Sequence, residues 1–294
     1  MPVQNTFRPR RSCLYMPGAN QRALEKARGL AADMLILDLE DAVAPDLKAE
    51  ARSNVATALE SAEYGDREVV VRTNGLATEW GYDDLAMAAA TGPDGILVPK
   101  VETADDIRAI DAELTRVGAP SDLGLWAMIE MPRALLALES IAASSETTRL
   151  TGFVMGTNDL AKEFNAIPTP DRQAFQLALG MTLAAARAFG LAAIDGVFND
   201  IKDEAGLAAE CEQGRVLGFD GKTLIHPAQL DIANRVFSPD PDEVAHARAV
   251  IAAFALPENQ GKGVIKVDGK MTELLHLEQA RGLVAIEEAI AARH

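Results

Sequence analysis

Short apolar runs rich in β-branched residues, each bounded by glycine, proline or charge, recur along the whole chain: SCLYM (12–16), MLILDLE (34–40), EVVVRTN (68–74), GILVPK (95–100), LGLWAMIE (123–130), TGFVMG (151–156), LAAIDG (191–196) and KTLIH (222–226). Runs of this length and composition predict strands. Between them lie alanine-rich amphipathic segments such as QRALEKARGLAAD (21–33), TADDIRAIDAELTRVG (103–118) and DRQAFQLALGMTLAAARAFG (171–190), which predict helices. Successive strand ends at Asp38, Arg72, Lys100 and Glu130 are 34, 28 and 30 residues apart, the spacing of a strand-plus-helix unit. The runs lack clean alternation, as expected of parallel strands covered on both faces. Eight such units in one chain predict an α/β protein with a (β/α)8 TIM barrel, and no GxGxxG fingerprint follows the first strand to favour an open doubly wound sheet.

Past the eighth unit, SPDPDEVAHARAVIAAFA (238–255) predicts a helix, ENQGKGVIKVDGK (258–270) a Gly/Lys-rich turn, and MTELLHLEQARGLVAIEEAIAA (271–292) a last helix. The expected organisation is a barrel with an N-terminal arm over 1–237 and a C-terminal helical extension over 238–294. That extension is too short for an independent core, so it is expected to lie on the barrel or on a neighbouring subunit.

In a parallel barrel the C-terminal strand ends converge on one rim, where the loops build the active site. Here those ends carry Asp38, Glu40 and Asp41, then Arg72 and Asn74, Lys100, Glu130, Asp159 just past its strand, Asp195, and Lys222 with His226. Such charges at the ends of apolar strands need a chemical reason. Glu130 and Asp159, from adjacent strand ends, suit a hard divalent ion that takes oxygen ligands and keeps several waters. Asp159 alone also reads as a helix N-cap, since NDLAKE opens a helical pattern. The turn Gly156-Thr157-Asn158 offers backbone N–H groups at a helix start, suited to a substrate carboxylate. Arg72 emerges from a run of valines, where a planar permanent cation can face a developing oxyanion or form a buried ion pair with Asp38, Glu40 or Asp41. Arg22 and Lys26 lie four residues apart on one helix face, as a phosphate clamp or as solvated surface. His226, before a proline, reads as a hydrogen-bonded loop residue more readily than as a catalyst.

With 294 residues, 48% of them hydrophobic, the chain can bury a large core. Cys13 and Cys211 show no metal-ligand or CxxC spacing, which fits a reducing compartment and excludes a structural zinc. The N-terminal stretch has arginines but no apolar leader, and no apolar run is long enough to span a bilayer, so the expectation is a cytoplasmic protein with no membrane partner. A formal net charge of −16 argues against nucleic acid as the main partner. An anionic ligand would need a local basic patch, for which Arg8, Arg10 and Arg11 are candidates beside Arg22 and Lys26.

Taken together, RRSCLYMPG, LDLEDAV, VRTNG, VPKVE, IEMPRAL, MGTNDLAKE, GFDGKTLIHPAQ and VDGKM resemble the citrate lyase β-subunit-like family of CoA-ester lyases, within the HpcH/HpaI aldolase superfamily, from about Arg11 to the last helix. TEWGYDDL (78–85), MGTNDLAKE and the stretch 197–230 look most like malyl-CoA lyase relatives, including the (3S)-malyl-CoA thioesterases. The resemblance implies that Glu130 and Asp159 ligate Mg²⁺, with Mn²⁺ as an alternative, and that Arg72 steadies a thioester enolate; at least one of Asp38, Glu40 and Asp41 is expected to support Arg72 or the metal waters. It implies further that Arg22, Lys26 and His226 border the coenzyme A of the substrate. Asp268 of the DGKM motif would reach a neighbouring subunit's site as acid/base, which implies a homo-oligomer, a trimer or hexamer. The expected reaction is carbon–carbon cleavage of a 3-hydroxy-dicarboxyl-CoA thioester of the malyl or citramalyl type. The alternatives are hydrolysis of the same ester, a citrate lyase β subunit, a non-catalytic CoA-binding protein, and an aldolase acting on free hydroxy acids.

Overall fold

The computed structural model describes residues 8–61 and 64–293. It divides into two compact units. One runs from Arg10 to Phe237; the other comprises Ser238 onward with the segment ending at Pro9.

In the larger unit, strands β1 (Ser12–Pro17), β2 (Met34–Asp38), β3 (Glu68–Arg72), β4 (Gly95–Val98), β5 (Gly124–Ile129), β6 (Leu150–Met155), β7 (Ala192–Asp195) and β8 (Gly221–Leu224) pair in parallel, each with the next, and β8 returns to β1. The chain is therefore a closed (β/α)8 barrel. All eight runs expected from the sequence are strands, with ends shifted by one or two residues. Cys13, Met34, Ile36, Val70, Leu97, Trp126, Met128, Val154 and Ile194 form one buried cluster, separate from the larger one that includes Leu35, Leu37, Val69, Val71, Ile96 and Ile129. Alternation along a strand sends neighbours to opposite faces, so the first cluster fills the barrel interior and the second packs under the helices. Trp126 spans much of the interior, and a Cβ on Gly152 of β6 would come within 2.6 Å of its ring, so only glycine leaves that space.

The N-terminal end of the barrel is closed by charge. Arg10 lies 4.9 Å over the Trp126 ring and bonds Glu68 at 2.6 and 3.0 Å. Arg11 bonds Asp33 at 2.8 and 2.9 Å. The expected anion patch at Arg10 and Arg11 is thus corrected: both face away from the rim and are neutralised by carboxylates just before β2 and at the start of β3.

In the smaller unit, the helices Pro241–Ala255 and Leu274–Ala291 and an antiparallel hairpin, β9 (Val264–Val267) with β10 (Lys270–Glu273), share a buried cluster including Val250, Phe254, Ile265 and Leu277. The hairpin replaces the expected turn and the first three residues of the expected last helix. Asp268 and Gly269 join its strands with φ of 48° and 80°, a two-residue turn with both positions left-handed. Among the described residues no helix is long and apolar enough to cross a membrane.

Candidate active site

The interior-facing alternation that places Ile36, Val70 and Met128 inside the barrel continues to Asp38, Arg72 and Glu130 at the C-terminal ends of β2, β3 and β5. Together with Tyr15 of β1, Asp41, and the Gly156–Asp159 turn after β6, they line one cavity of about 420 Å³.

Arg72 is the most fixed of these side chains. It bonds both oxygens of fully buried Asp38, at 2.7 and 2.6 Å, while Nη1 lies 3.0 Å from Glu40 Oε2 and 3.9 Å from Asp41. The guanidinium stacks 4.7 Å from the Tyr15 ring. Burial alone would lower the Arg72 pKa, but Tyr15, Asp38 and Glu40 outweigh it and hold the group firmly charged. Asp38 also accepts the backbone N–H groups of Glu40 and Ala42, so its four bonds account for its cost of burial. Glu40 bridges Arg72 and Lys100 Nζ, the latter at 2.6 Å. The three LEDAV carboxylates therefore divide: Asp38 orients Arg72, Glu40 links two cations, and Asp41 is solvated at the cavity wall.

Glu130 is 1% exposed and accepts the Lys100 N–H at 2.7 Å. Burial pushes its carboxyl up to about 7; the Lys100 N–H opposes the rise and the negative charge of Asp159 adds to it. A Cβ on Gly156 would lie 2.5 Å from Glu130 Oε2, so glycine at this position makes room for the carboxylate. The helix Thr157–Phe164 has Gly156 as its N-cap, which puts Asp159 in the first turn instead of at the cap. Among the described residues Asp159 has no hydrogen bond or ion pair, and it lines the cavity. No group of three or more His, Cys, Asp and Glu among these residues could hold a metal. A divalent ion here would take two protein carboxylates and fill its remaining positions with water and substrate oxygens. The donor set fits such an ion: both side chains offer hard carboxylate oxygens, Glu130 buried and Asp159 beside it in the lining of the same cavity.

Thr157 is buried at the helix start, whereas Asn158 is exposed and paired with Asn199 in two hydrogen bonds, at 3.2 and 2.8 Å. Of the other expected site residues, none of those in the barrel unit lines this cavity. Arg22 and Lys26 lie exposed on the short helix Gln21–Ala27 that follows β1. His226 is exposed, and its Nδ1 accepts the Ala228 N–H at 3.1 Å to cap the turn Pro227–Gln229. Asp268 is exposed at the β9–β10 turn, 3.5 Å from His246 Nδ1.

Asp195 and Lys222 are corrected as rim residues. Both occupy outward positions of β7 and β8 and form a buried network with Arg172 and Glu210: Arg172 to Asp195 at 2.7 Å, Lys222 to Asp195 at 3.1 Å and to Glu210 at 2.6 Å. Tyr15, conversely, was missed; its signal was a lone aromatic at an inward position, two residues after Cys13.

Known proteins resemble the chain over nearly its whole length. The model of the HpcH/HpaI aldolase/citrate lyase family matches residues 11–227. The chain is 56% identical to a (3S)-malyl-CoA thioesterase of Cereibacter sphaeroides over 97% of this chain and 96% of that protein. It is 36% identical to the citrate lyase β subunit of Escherichia coli K12 over 99% and 97%. Among solved structures, CitE of Mycobacterium tuberculosis in complex with magnesium, acetoacetate and coenzyme A superposes with a TM-score of 0.76 at 28% identity, covering 95% of this chain and 98% of that one. The chain belongs to the HpcH/HpaI aldolase/citrate lyase family.

Proposed function

We propose that the chain is a Mg²⁺-dependent enzyme that hydrolyses the coenzyme A thioester of a 3-hydroxy-dicarboxylic acid, of the (3S)-malyl-CoA type. The observation that carries the reading is the presence, in one cavity, of Arg72 locked on Asp38 and of the Glu130–Asp159 carboxylate pair. The order of the two sequence-derived outcomes, cleavage first and hydrolysis second, is reversed by the 56% identity to a (3S)-malyl-CoA thioesterase over nearly the full length of both chains.

Glu130 and Asp159 would hold the ion, which supplies a Lewis acid for the carboxylate and hydroxyl oxygens of the acyl group. Thr157 and Asn158 present the helix-start N–H groups beside it. The acyl carbonyl then meets Arg72. Water adds to that carbonyl, negative charge gathers on its oxygen, and Arg72 stabilises it; the C–S bond breaks and the CoA sulfur leaves as the thiol after taking a proton. Asp38 keeps the guanidinium charged and aimed throughout.

Arg22 and Lys26 are proposed to meet the CoA phosphates, supported by their exposure and by the absence of ion pairs to them among the described residues. His226 would offer the same arm only its Nε2. Asp268 of a second copy is proposed as the proton-transfer group, within a trimer or a pair of trimers; its exposure at the tip of a turn supports this.

Carbon–carbon cleavage is the second reading, favoured by the citrate lyase β relative. It would place the enolate charge on the same thioester oxygen, so Arg72 serves either outcome. The test is purified protein with Mg²⁺ and (3S)-malyl-CoA, with free thiol and 2-oxo acid followed in one time course. Thiol without oxo acid supports hydrolysis. Oxo acid without thiol replaces it with cleavage, and no consumption of the ester overturns the substrate class.

A further inference from the structure

Among the described residues Lys100 is the one bonded both to Glu130 of the cavity wall and to Glu40 beside Arg72. Its backbone N–H donates to Glu130 Oε1 at 2.7 Å, and its Nζ donates to Glu40 Oε1 at 2.6 Å. The other oxygen of Glu40 lies 3.0 Å from Arg72 Nη1. An unbroken polar chain thus runs from Glu130 through Lys100 and Glu40 to Arg72 and Asp38.

The backbone at Lys100 is unusual. It follows Pro99 at the end of β4 and sits at φ 54°, a left-handed conformation that crowds the Cβ of any residue but glycine and is tolerated best by asparagine and aspartate. Strain of this kind persists where surrounding structure enforces it, and it collects at functional sites. Here it aims an N–H at a buried carboxylate that has no other hydrogen-bond donor among the described residues.

The side chain has a separate effect. Glu40 is buried and shared between Arg72 and Lys100. The Lys100 ammonium, 2.6 Å from Glu40 Oε1, engages one oxygen of a carboxylate whose other oxygen faces Arg72. Without that ammonium, both Glu40 oxygens are free to turn to Arg72 and blunt the positive charge it presents to the substrate.

We infer that Lys100 is a dual positioning residue for this site: its left-handed backbone sets the metal-binding carboxylate Glu130, and its side chain holds Glu40 so that Arg72 keeps its charge for the substrate. The inference rests on the proposed metal site and deepens it. The two halves separate by substitution. Lys100→Asn and Lys100→Gly remove the ammonium yet accept φ > 0, whereas Lys100→Val removes it and resists that conformation, with Lys100→Ala in its place should the valine variant not fold.

The experiment is calorimetric titration of each variant with Mg²⁺ in the absence of substrate, followed by steady-state kinetics. Lys100→Asn and Lys100→Gly are expected to bind Mg²⁺ at least as tightly as the wild type, with kcat reduced about tenfold. Lys100→Val is expected to bind Mg²⁺ about tenfold more weakly than Lys100→Asn, the factor that a left-handed penalty implies. Equal Mg²⁺ affinities across the three variants titrated, or wild-type kcat in Lys100→Asn, overturn the inference while leaving the metal site standing. A Glu130→Gln control that binds Mg²⁺ as the wild type does overturns the metal site itself, and the inference with it.

Discussion

Arg72 meets Asp38 through both ends of its guanidinium, Nε to Oδ1 at 2.7 Å and Nη2 to Oδ2 at 2.6 Å. That leaves Nη1 for Glu40 and the cavity, and the fully buried aspartate cannot be replaced without stranding the cation. Asp38→Asn keeps the shape but removes the charge and one acceptor. Breaking a buried pair from one side costs about 3–5 kcal/mol, so denaturant unfolding should show a loss of that order. Arg72→Lys should keep Mg²⁺ affinity while lowering kcat by about 10²–10³, the range for loss of an oxyanion donor. Near-normal kcat in Arg72→Lys would remove Arg72 from the chemistry.

A second expectation concerns pH. The unfolded Glu130 carboxyl titrates near 4.5 and the folded one, raised by burial, near 7. Between these values the folded protein holds a proton that the unfolded chain has released, so metal-free stability falls as pH rises through the window, by about 3 kcal/mol in all. Mg²⁺ favours the ionised carboxylate. It should therefore raise Tm more at pH 8 than at pH 6, and calorimetry should find the pH slope and the Mg²⁺ shift both gone in Glu130→Gln. A metal-free Tm that climbs from pH 5 to 7 would contradict the assignment.

Gly156 has φ of −105°, so its need for glycine is spatial and not conformational. An added methyl would collide with the Cβ of Glu130 and come within 2.5 Å of its Oε2. Gly156→Ala should consequently weaken Mg²⁺ binding about tenfold, because the carboxylate proposed to bind the ion must swing away. Circular dichroism should stay unchanged, and undiminished Mg²⁺ affinity would show that Glu130 does not need its present position.

The buried network under β7 and β8 should behave differently. Lys222 is 0% exposed, and with Arg172 it outweighs the effect of burial on Asp195, keeping that carboxyl below its usual range. Lys222→Met leaves Asp195 and Glu210 short of a cation, at a cost of about 3 kcal/mol. Mg²⁺ affinity and kcat should stay within about twofold at temperatures where the variant is folded, since both residues point away from the cavity. A selective loss of turnover without loss of stability would return Lys222 to the site.

The misreading of Asp195 and Lys222 has the same origin as the success with the strands. Short runs such as AAID and GKTL are buried on both faces, so their limits are legible but their alternation is not, and a charge within the run can face the lumen or the helices. Asp38, Arg72 and Glu130 fall on the lumen side by phase; Asp195 and Lys222 fall on the other. Arg10 and Arg11 looked like an anion site because their partners, Glu68 and Asp33, stand 58 and 22 residues further along and meet them only once the barrel closes. The β9–β10 hairpin was hidden because β10 runs straight into the helix Leu274–Ala291, whose 3.6-residue period dominated the stretch, although Asp268-Gly269 carried the turn signal. Tyr15 was read only as a strand former, since nothing local marks an aromatic as the platform for an arginine on another strand.

The proposed sharing of sites between subunits gives the sharpest test of Asp268. Its carboxylate is 72% exposed on the β9–β10 turn and, among the described residues, meets only His246 at 3.5 Å. If each site uses Glu130 of its own chain and Asp268 of a neighbour, Asp268→Asn and Glu130→Gln should each be inactive alone. Unfolded together in equal amounts and refolded, they form mixed rings in which a site works only when its own chain has Glu130 and the adjacent chain has Asp268. Random assembly of a cyclic oligomer predicts recovery of about one quarter of wild-type activity per site. A mixture as inactive as its parents, in oligomers shown by mass spectrometry to be mixed, would confine catalysis to a single chain, whereas an Asp268→Asn variant active on its own would leave Asp268 a surface residue.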